Sequence, residues 1–187
     1  GAGSGEFTNL LSSTKNNIYA TDYLFNKHFY SDKVDFINIK NIFNKKNYKK
    51  FDVIILRHVL EHILDLSLIL KKLKLISKNK QTVIIIEVPN YNSFWKIILK
   101  NRWPGYFYPY HHYVFSKKFL INVLKKNKLQ IMKTNYVEPP MFGSYLYIFG
   151  LNRNLCKIIS IFLYPFQYLF SKLNFKSEGL LLIVKND

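Results

Sequence analysis

The stretch Phe51–Asp65, FDVIILRHVLEHILD, decides the fold. Val53, Ile54, Ile55 and Leu56 form an unbroken apolar run. Such a run suits a strand buried on both faces, as in a parallel sheet. Arg57, His58, Glu61 and His62 follow at once and bring polar groups to the strand's end. Open α/β sheets bind ligands outside the carboxyl ends of their strands. The polar cluster therefore marks a candidate site.

Outward from this stretch, strands and helices alternate. Leu66, Leu70, Leu73 and Ile76 recur at helical spacing within 64–78, with Lys71, Lys72 and Lys74 on the other face. That pattern predicts an amphipathic helix packed on the sheet. Gln81–Glu87, QTVIIIE, reads as the next strand, ended by Val88-Pro89-Asn90. Before the central stretch, Val34, Phe36, Ile37 and Ile39 suit a short strand, and the polar segment 41–50 suits a loop. Beyond it, Phe119, Leu120, Val123 and Leu124 predict a helix over 117–128, with Ser116 as its N-cap. Strands are expected at 129–137, stopped by Glu138-Pro139-Pro140, and at 179–185.

The chain opens GAGSGEF. Gly-Ala-Gly-Ser-Gly reads as an appended flexible linker or as a glycine-rich turn leading into a helix. Context favours the turn. Phe7, Leu10 and Leu11 follow at helical spacing, and Ile18-Tyr19-Ala20-Thr21-Asp22 reads as a strand ending in an acid. An acid about 20 residues past such glycines holds ribose hydroxyls in nucleotide-type folds. A dehydrogenase fingerprint is disfavoured, because Glu6 and Phe7 stand where its third glycine belongs.

On these residues the chain resembles the class I S-adenosylmethionine-dependent methyltransferases, in their small-molecule branch. GAGSGEF matches the family's glycine-rich motif, Asp22 its acid after the second strand, and FDVI…VLEH its fourth strand and following turn. The segment RWPGYFYPYHHYVFS is similar to the family's W-x-G…P-x-H…F-S stretch through Trp103, Gly105, Pro109, His111, Phe115 and Ser116. The resemblance implies a three-layer α/β sandwich with a Rossmann-like, mostly parallel sheet and an antiparallel last strand. It implies S-adenosyl-L-methionine as cofactor, bordered by Gly1, Ala2, Gly3, Gly5, Asp22, Leu56 and Arg57. His111 is the candidate general base, a role suited to an ordinary imidazole pKa.

Two departures stand out. The family's first strand precedes its glycines and is central in the sheet, whereas here the glycines begin the sequence. The chain is therefore expected to be a fragment of a longer reading frame, with unpaired backbone groups on both neighbours of the missing strand. Asn38, Lys40 and Asn41 stand where the family often has an acid for the adenine amine, so that contact does not carry over.

His58-Val59-Leu60-Glu61-His62 also fits H-x-x-E-H, a zinc-protease pattern read on a helix. Such a site needs a long helix and a third ligand, and here a buried strand runs straight into the motif. No metal is expected. Glu61 and His62 remain open between a site role and capping of a first helical turn.

The chain has 187 residues, 49% of them hydrophobic, so one domain over 1–187 is expected. Its one cysteine, Cys156, excludes an internal disulfide and fits a reducing, cytoplasmic compartment. The net charge is +17. The lysines are spread along the chain, which fits a solvated surface better than a specific nucleic-acid site. A hydrophobic helical insertion is expected at about 141–175. Its centre, LCKIISIFLYPFQYLF over 155–170, is interrupted by Pro165 and is shorter than the roughly 20 residues that span a bilayer. It suits a lid, a dimer surface or a peripheral contact with the inner face of a membrane. The functional expectation is methyl transfer to a small-molecule, lipid-linked or saccharide acceptor. The alternative is a non-catalytic basic or methyltransferase-like module on an anionic membrane or nucleic acid.

Overall fold

The computed structural model describes residues 1–23, 27–43, 50–138, 146–147, 150–174 and 177–187. Six strands are described: β1 (Ile18–Ala20), β2 (Val34–Phe36), β3 (Val53–Arg57), β4 (Val83–Pro89), β5 (Leu129–Val137) and β6 (Gly179–Asn186). The helices are α1 (Glu6–Leu11), α2 (Ile39–Ile42), α3 (Leu66–Ile76), α4 (Phe94–Leu99), α5 (Lys117–Lys126) and α6 (Arg153–Asn174). The strands fall into a β1-β2 pair and a four-stranded sheet of order β3-β4-β6-β5. β1 runs parallel to β2, and β3 parallel to β4. β6 is antiparallel to both of its neighbours. The mostly parallel α/β sheet with an antiparallel last strand is the one expected.

The core lies on one face of the larger sheet. Ile84, Ile86 and Val88 of β4 and Leu180, Leu182 and Val184 of β6 are fully buried against Leu70 and Leu73 of α3 and Leu120 and Leu124 of α5. Each such side chain contributes about 1.5–3 kcal/mol by leaving water. Ser116 caps α5 as read, accepting from Phe119 N–H, and Asp65 caps α3 in the same way by accepting from Leu68 N–H. β4 continues through Pro89, two residues past the expected end, because Pro89 pairs as its last residue opposite Gly179.

The helical insertion is α6, and Pro165 lies inside it without breaking it. Pro165 sits on the exposed side, where the carbonyl that loses its N–H partner meets water. Residues 141–145, 148–149 and 175 of the expected insertion, and the Pro139-Pro140 stop before it, lie outside the described residues. Among the described residues no helix is long and apolar enough to cross a membrane.

β1 and β3 are not hydrogen-bonded to each other. Val53 and Ile55 of β3 turn away from the core and remain 51% and 37% exposed. Contacts across the gap are side-chain ones: Tyr19 meets Phe51 edge-on at 5.6 Å, and Arg57 stacks 5.3 Å over Phe7 of α1.

Candidate active site

The glycine turn is fastened to the end of β1. The Gly1 amine and Ala2 N–H both donate to Thr21 O, at 2.6 and 3.0 Å. Gly3 N–H donates to Asp22 Oδ2 at 2.8 Å. Two features that sequence spacing alone suggested are thus joined by a hydrogen bond. Gly5 begins α1 at φ 78°, and a Cβ there would sit 2.5 Å from Phe29 O. Only glycine tolerates both the conformation and the approach. A Cβ on Gly1 would collide with Val59, which places the turn against the end of β3 as well.

A cavity of about 1030 Å³ opens beside this turn. Gly1, Ala2, Gly3, Thr21, Arg57 and His58 line its carboxyl end, and Ile18, Ala20, Val53 and Ile55 line the gap between β1 and β3. Its volume therefore combines a ligand-sized pocket with the space between two strand edges. Of the residues expected to border the cofactor, Gly1, Ala2, Gly3 and Arg57 line the cavity. Gly5 is buried beneath the turn, and Asp22 reaches it through Gly3. Leu56 is 5% exposed with its side chain in the core.

Beyond β3 the chain does not enter an α-helix. His58 adopts φ 51°, and Leu60–His62 forms one 3-10 turn. His58 and His62 are therefore not stacked on one helix face, and the zinc-protease geometry is absent. His58 is held instead by two acids: its Nδ1 lies 3.2 Å from Glu61 Oε1, and its Nε2 lies 3.5 Å from Glu87 Oε1. Hydrogen bonds to Glu61 and then Glu87 outweigh burial and push its imidazole up to about 9. Burial pushes Glu87 up, but His58 and Arg57, whose Nε lies 3.2 Å away, leave its carboxyl below the ordinary value. Glu87 ends the apolar run QTVIIIE with an acid, two residues before β4 itself ends, and that was the signal for it in the sequence. The distortion at His58 had none.

The aromatic segment packs over this end of the sheet. Trp103 is buried and donates from Nε1 to Glu178 Oε1 at 2.6 Å, and a Cβ on Gly105 would strike its ring. His112 N–H donates to Glu61 O at 2.8 Å, which ties the segment to the turn after β3. His111 and His62 consequently meet with ring centroids 4.6 Å apart. His111 Nδ1 lies 2.7 Å from Gly105 O, and since a carbonyl only accepts, Nδ1 carries the proton. Burial depresses the His111 pKa, so its Nε2 holds a lone pair at neutral pH. Glu138, overlooked in the sequence, is 5% exposed and accepts from Trp95 Nε1, Gln167 Nε2 and Glu178 N–H.

A profile of the family described as "Methyltransferase domain" matches residues 1–134. A search of curated proteins gives no match. Among solved structures, the chain is similar to an S-adenosylmethionine-dependent methyltransferase from Methanosarcina mazei, at 15% identity and a TM-score of 0.63, covering 100% of this chain and 89% of that one. One from Archaeoglobus fulgidus gives 18% identity and 0.58, covering 100% and 83%. The 1,6-didemethyltoxoflavin-N1-methyltransferase of Burkholderia thailandensis, with S-adenosylhomocysteine and its substrate bound, gives 12% and 0.61, covering 100% and 69%. The match over residues 1–134 takes in the glycine turn, Asp22 and the end of β3, and the chain belongs to the class I methyltransferase family, whose cofactor is S-adenosylmethionine.

Proposed function

We propose that this chain transfers a methyl group to a small-molecule or lipid-linked acceptor held beneath the aromatic segment 91–116. The observation that carries the reading is the hydrogen bond from Gly3 N–H to Asp22, which closes the glycine turn at the mouth of the cavity. The residues present fit the cofactor. The turn comes so close to Phe29 and Val59 that a side chain on Gly5 or Gly1 would not fit, and its amides lie at the cavity wall. Gly1, Ala2 and Gly3 would border the amino-acid end, Asp22 the ribose, and Arg57 the rim. When bound, S-adenosylmethionine supplies a methyl on a sulfonium already activated for displacement.

The protein's part is then mainly positioning. The Glu61, Glu87, Arg57 and His58 network fixes the backbone where β3 ends. His111, neutral and with Nε2 as its basic nitrogen, is placed to take a proton from an acceptor that must lose one.

Titration calorimetry with S-adenosylhomocysteine tests the reading. Asp22→Ala is expected to weaken binding about 10- to 150-fold, the scale of one hydrogen bond to a charged group. Equal binding by the variant and the parent chain would sink the site assignment.

A membrane-linked acceptor is favoured by α6. Leu155, Ile158, Phe162, Phe166 and Leu169 follow at intervals of three and four residues, and all are about half or more exposed. With a net charge of +17, that face suits an anionic, inner-leaflet surface. Sedimentation with phosphatidylserine vesicles, and not with neutral ones, is the expected result. Phe162→Ser together with Phe166→Ser should abolish it. Equal sedimentation with neutral vesicles, or undiminished sedimentation of the double variant, overturns the membrane reading.

A further inference from the structure

Glu61, His62 and His111 each present one ligand atom, and the three atoms lie within 4.8 Å of one another. Ligands of one zinc ion at about 2.1 Å stand roughly 3.4 Å apart, so side-chain shifts on the order of an ångström close the set. We propose that these residues hold a divalent transition-metal ion. The two imidazoles and one carboxylate are a donor set suited to zinc, cobalt or manganese.

Three observations carry the proposal. Glu61 is fully buried, and its Oε2 has no hydrogen-bond partner among the described residues, while Oε1 serves His58. A buried carboxylate oxygen without a partner is costly, and a cation satisfies it. Both histidines are also oriented as metal ligands are. His62 Nδ1 lies 3.0 Å from Tyr110 O and His111 Nδ1 2.7 Å from Gly105 O. Committing Nδ1–H to a carbonyl fixes the tautomer and leaves Nε2 for an ion. Thirdly, the ligands are locked together by backbone: His112 N–H and Tyr113 N–H both bond Glu61 O.

The metal uses half of the H-x-x-E-H pattern, and His58 acts from behind as the partner that orients Glu61. Three protein ligands leave coordination positions open, and His62 faces solvent. An acceptor oxygen bound there would give up its proton more easily, and the proton would pass to the solvent that His62 faces. The ion then takes over the Nε2 lone pair that His111 would otherwise use as a base. The site does not depend on the cofactor, and the two are read separately.

The test titrates zinc chloride into the chelator-stripped full chain by calorimetry, with cobalt absorption as a second readout. One equivalent should bind. His62→Ala and His111→Ala should each weaken it by at least about tenfold, the scale at which even residues behind the ligands matter. Glu61→Gln should do the same, and if that buried variant fails to fold, the two histidine variants decide alone. His28→Ala, on a turn far along the chain, should change nothing. No saturable zinc binding, or binding undiminished in the His62→Ala, His111→Ala double variant, overturns the proposal. Loss of S-adenosylhomocysteine binding alone would bear on the cofactor site and leave this one standing.

Discussion

The two sheets, β1-β2 and β3-β4-β6-β5, differ sharply in how they are held. In the β3-β4-β6-β5 half, β4 pairs over seven residues with β6, and its inward side chains are wholly buried. In the β1-β2 half, three residue pairs make the ladder, and of those six residues only Ala20 is buried. β1 and β2, IYA and VDF, mix aromatic, small and acidic residues where β4 and β6 are mostly Ile, Val and Leu, and they are also less covered. β4 and β6 have neighbours on both edges, while β1 and β3 each present an edge to the gap. The candidate sites are divided along the same line. The glycine turn and Asp22 belong to the thinly covered half, and Glu61, His62 and His111 to the well-packed one.

The comparison breaks first if the packed half proves dispensable. Ile86→Ala is expected to cost about 2–5 kcal/mol in urea unfolding, the range for a buried large-to-small change. Ile18→Ala in β1, half-buried beside the gap, should cost less than about 1 kcal/mol. Equal costs would erase the distinction.

Gly5→Ala should come next. It forces an alanine to φ 78° against Phe29 O, at about 1–2 kcal/mol for the left-handed conformation alone. Hydrogen exchange should then quicken over residues 1–43 while β4 and β6 keep their protection. Loss of protection throughout would mean the halves unfold as one unit.

A smaller effect is expected from Glu87. Its carboxyl is held below the ordinary 4.5, so the stability it contributes is present above that value and is lost as pH falls through its folded value. Glu87→Gln should lower the urea midpoint at about pH 7 and converge on the parent chain in acid, once the pH has fallen below the folded value of the carboxyl. Arg57 is 44% exposed, so solvent screening keeps the difference modest. A constant offset at both pH values would place the effect in packing. The smallest effect is Val53→Thr, on the gap-facing side of β3, expected to stay within about 0.5 kcal/mol. A larger loss would show that the gap is better covered than its exposure indicates.

What the sequence made legible follows the same physics. FDVIIL and TVIIIE announce strands as unbroken apolar runs, although β3 falls short of the two-faced burial such a run implies, since Val53 and Ile55 stay exposed beside the gap. Ser116 announces a helix start because a cap is a local hydrogen bond. The positive φ of His58 gave no warning: its holding acids are Glu61, three residues on, and Glu87, which only the pairing of β3 with β4 brings near. Glu61, His62 and His111 were each visible, but their meeting depends on the 105–113 segment folding back over β3. Pro165 misled because proline breaks helices by default, and exposure on one side relieves that cost.

Glu138 gives α6 a mechanical connection. Its Oε1 accepts from Trp95 Nε1 on α4 and from Gln167 Nε2 on α6, and Tyr164 donates to its backbone oxygen. Its Oε2 holds the backbone just before β6, where Glu178 in turn holds Trp103. One side chain is thus a pivot shared by the outer helix and the two tryptophans that frame the aromatic segment. A displacement of the exposed face of α6 therefore reaches the aromatic segment through that carboxylate.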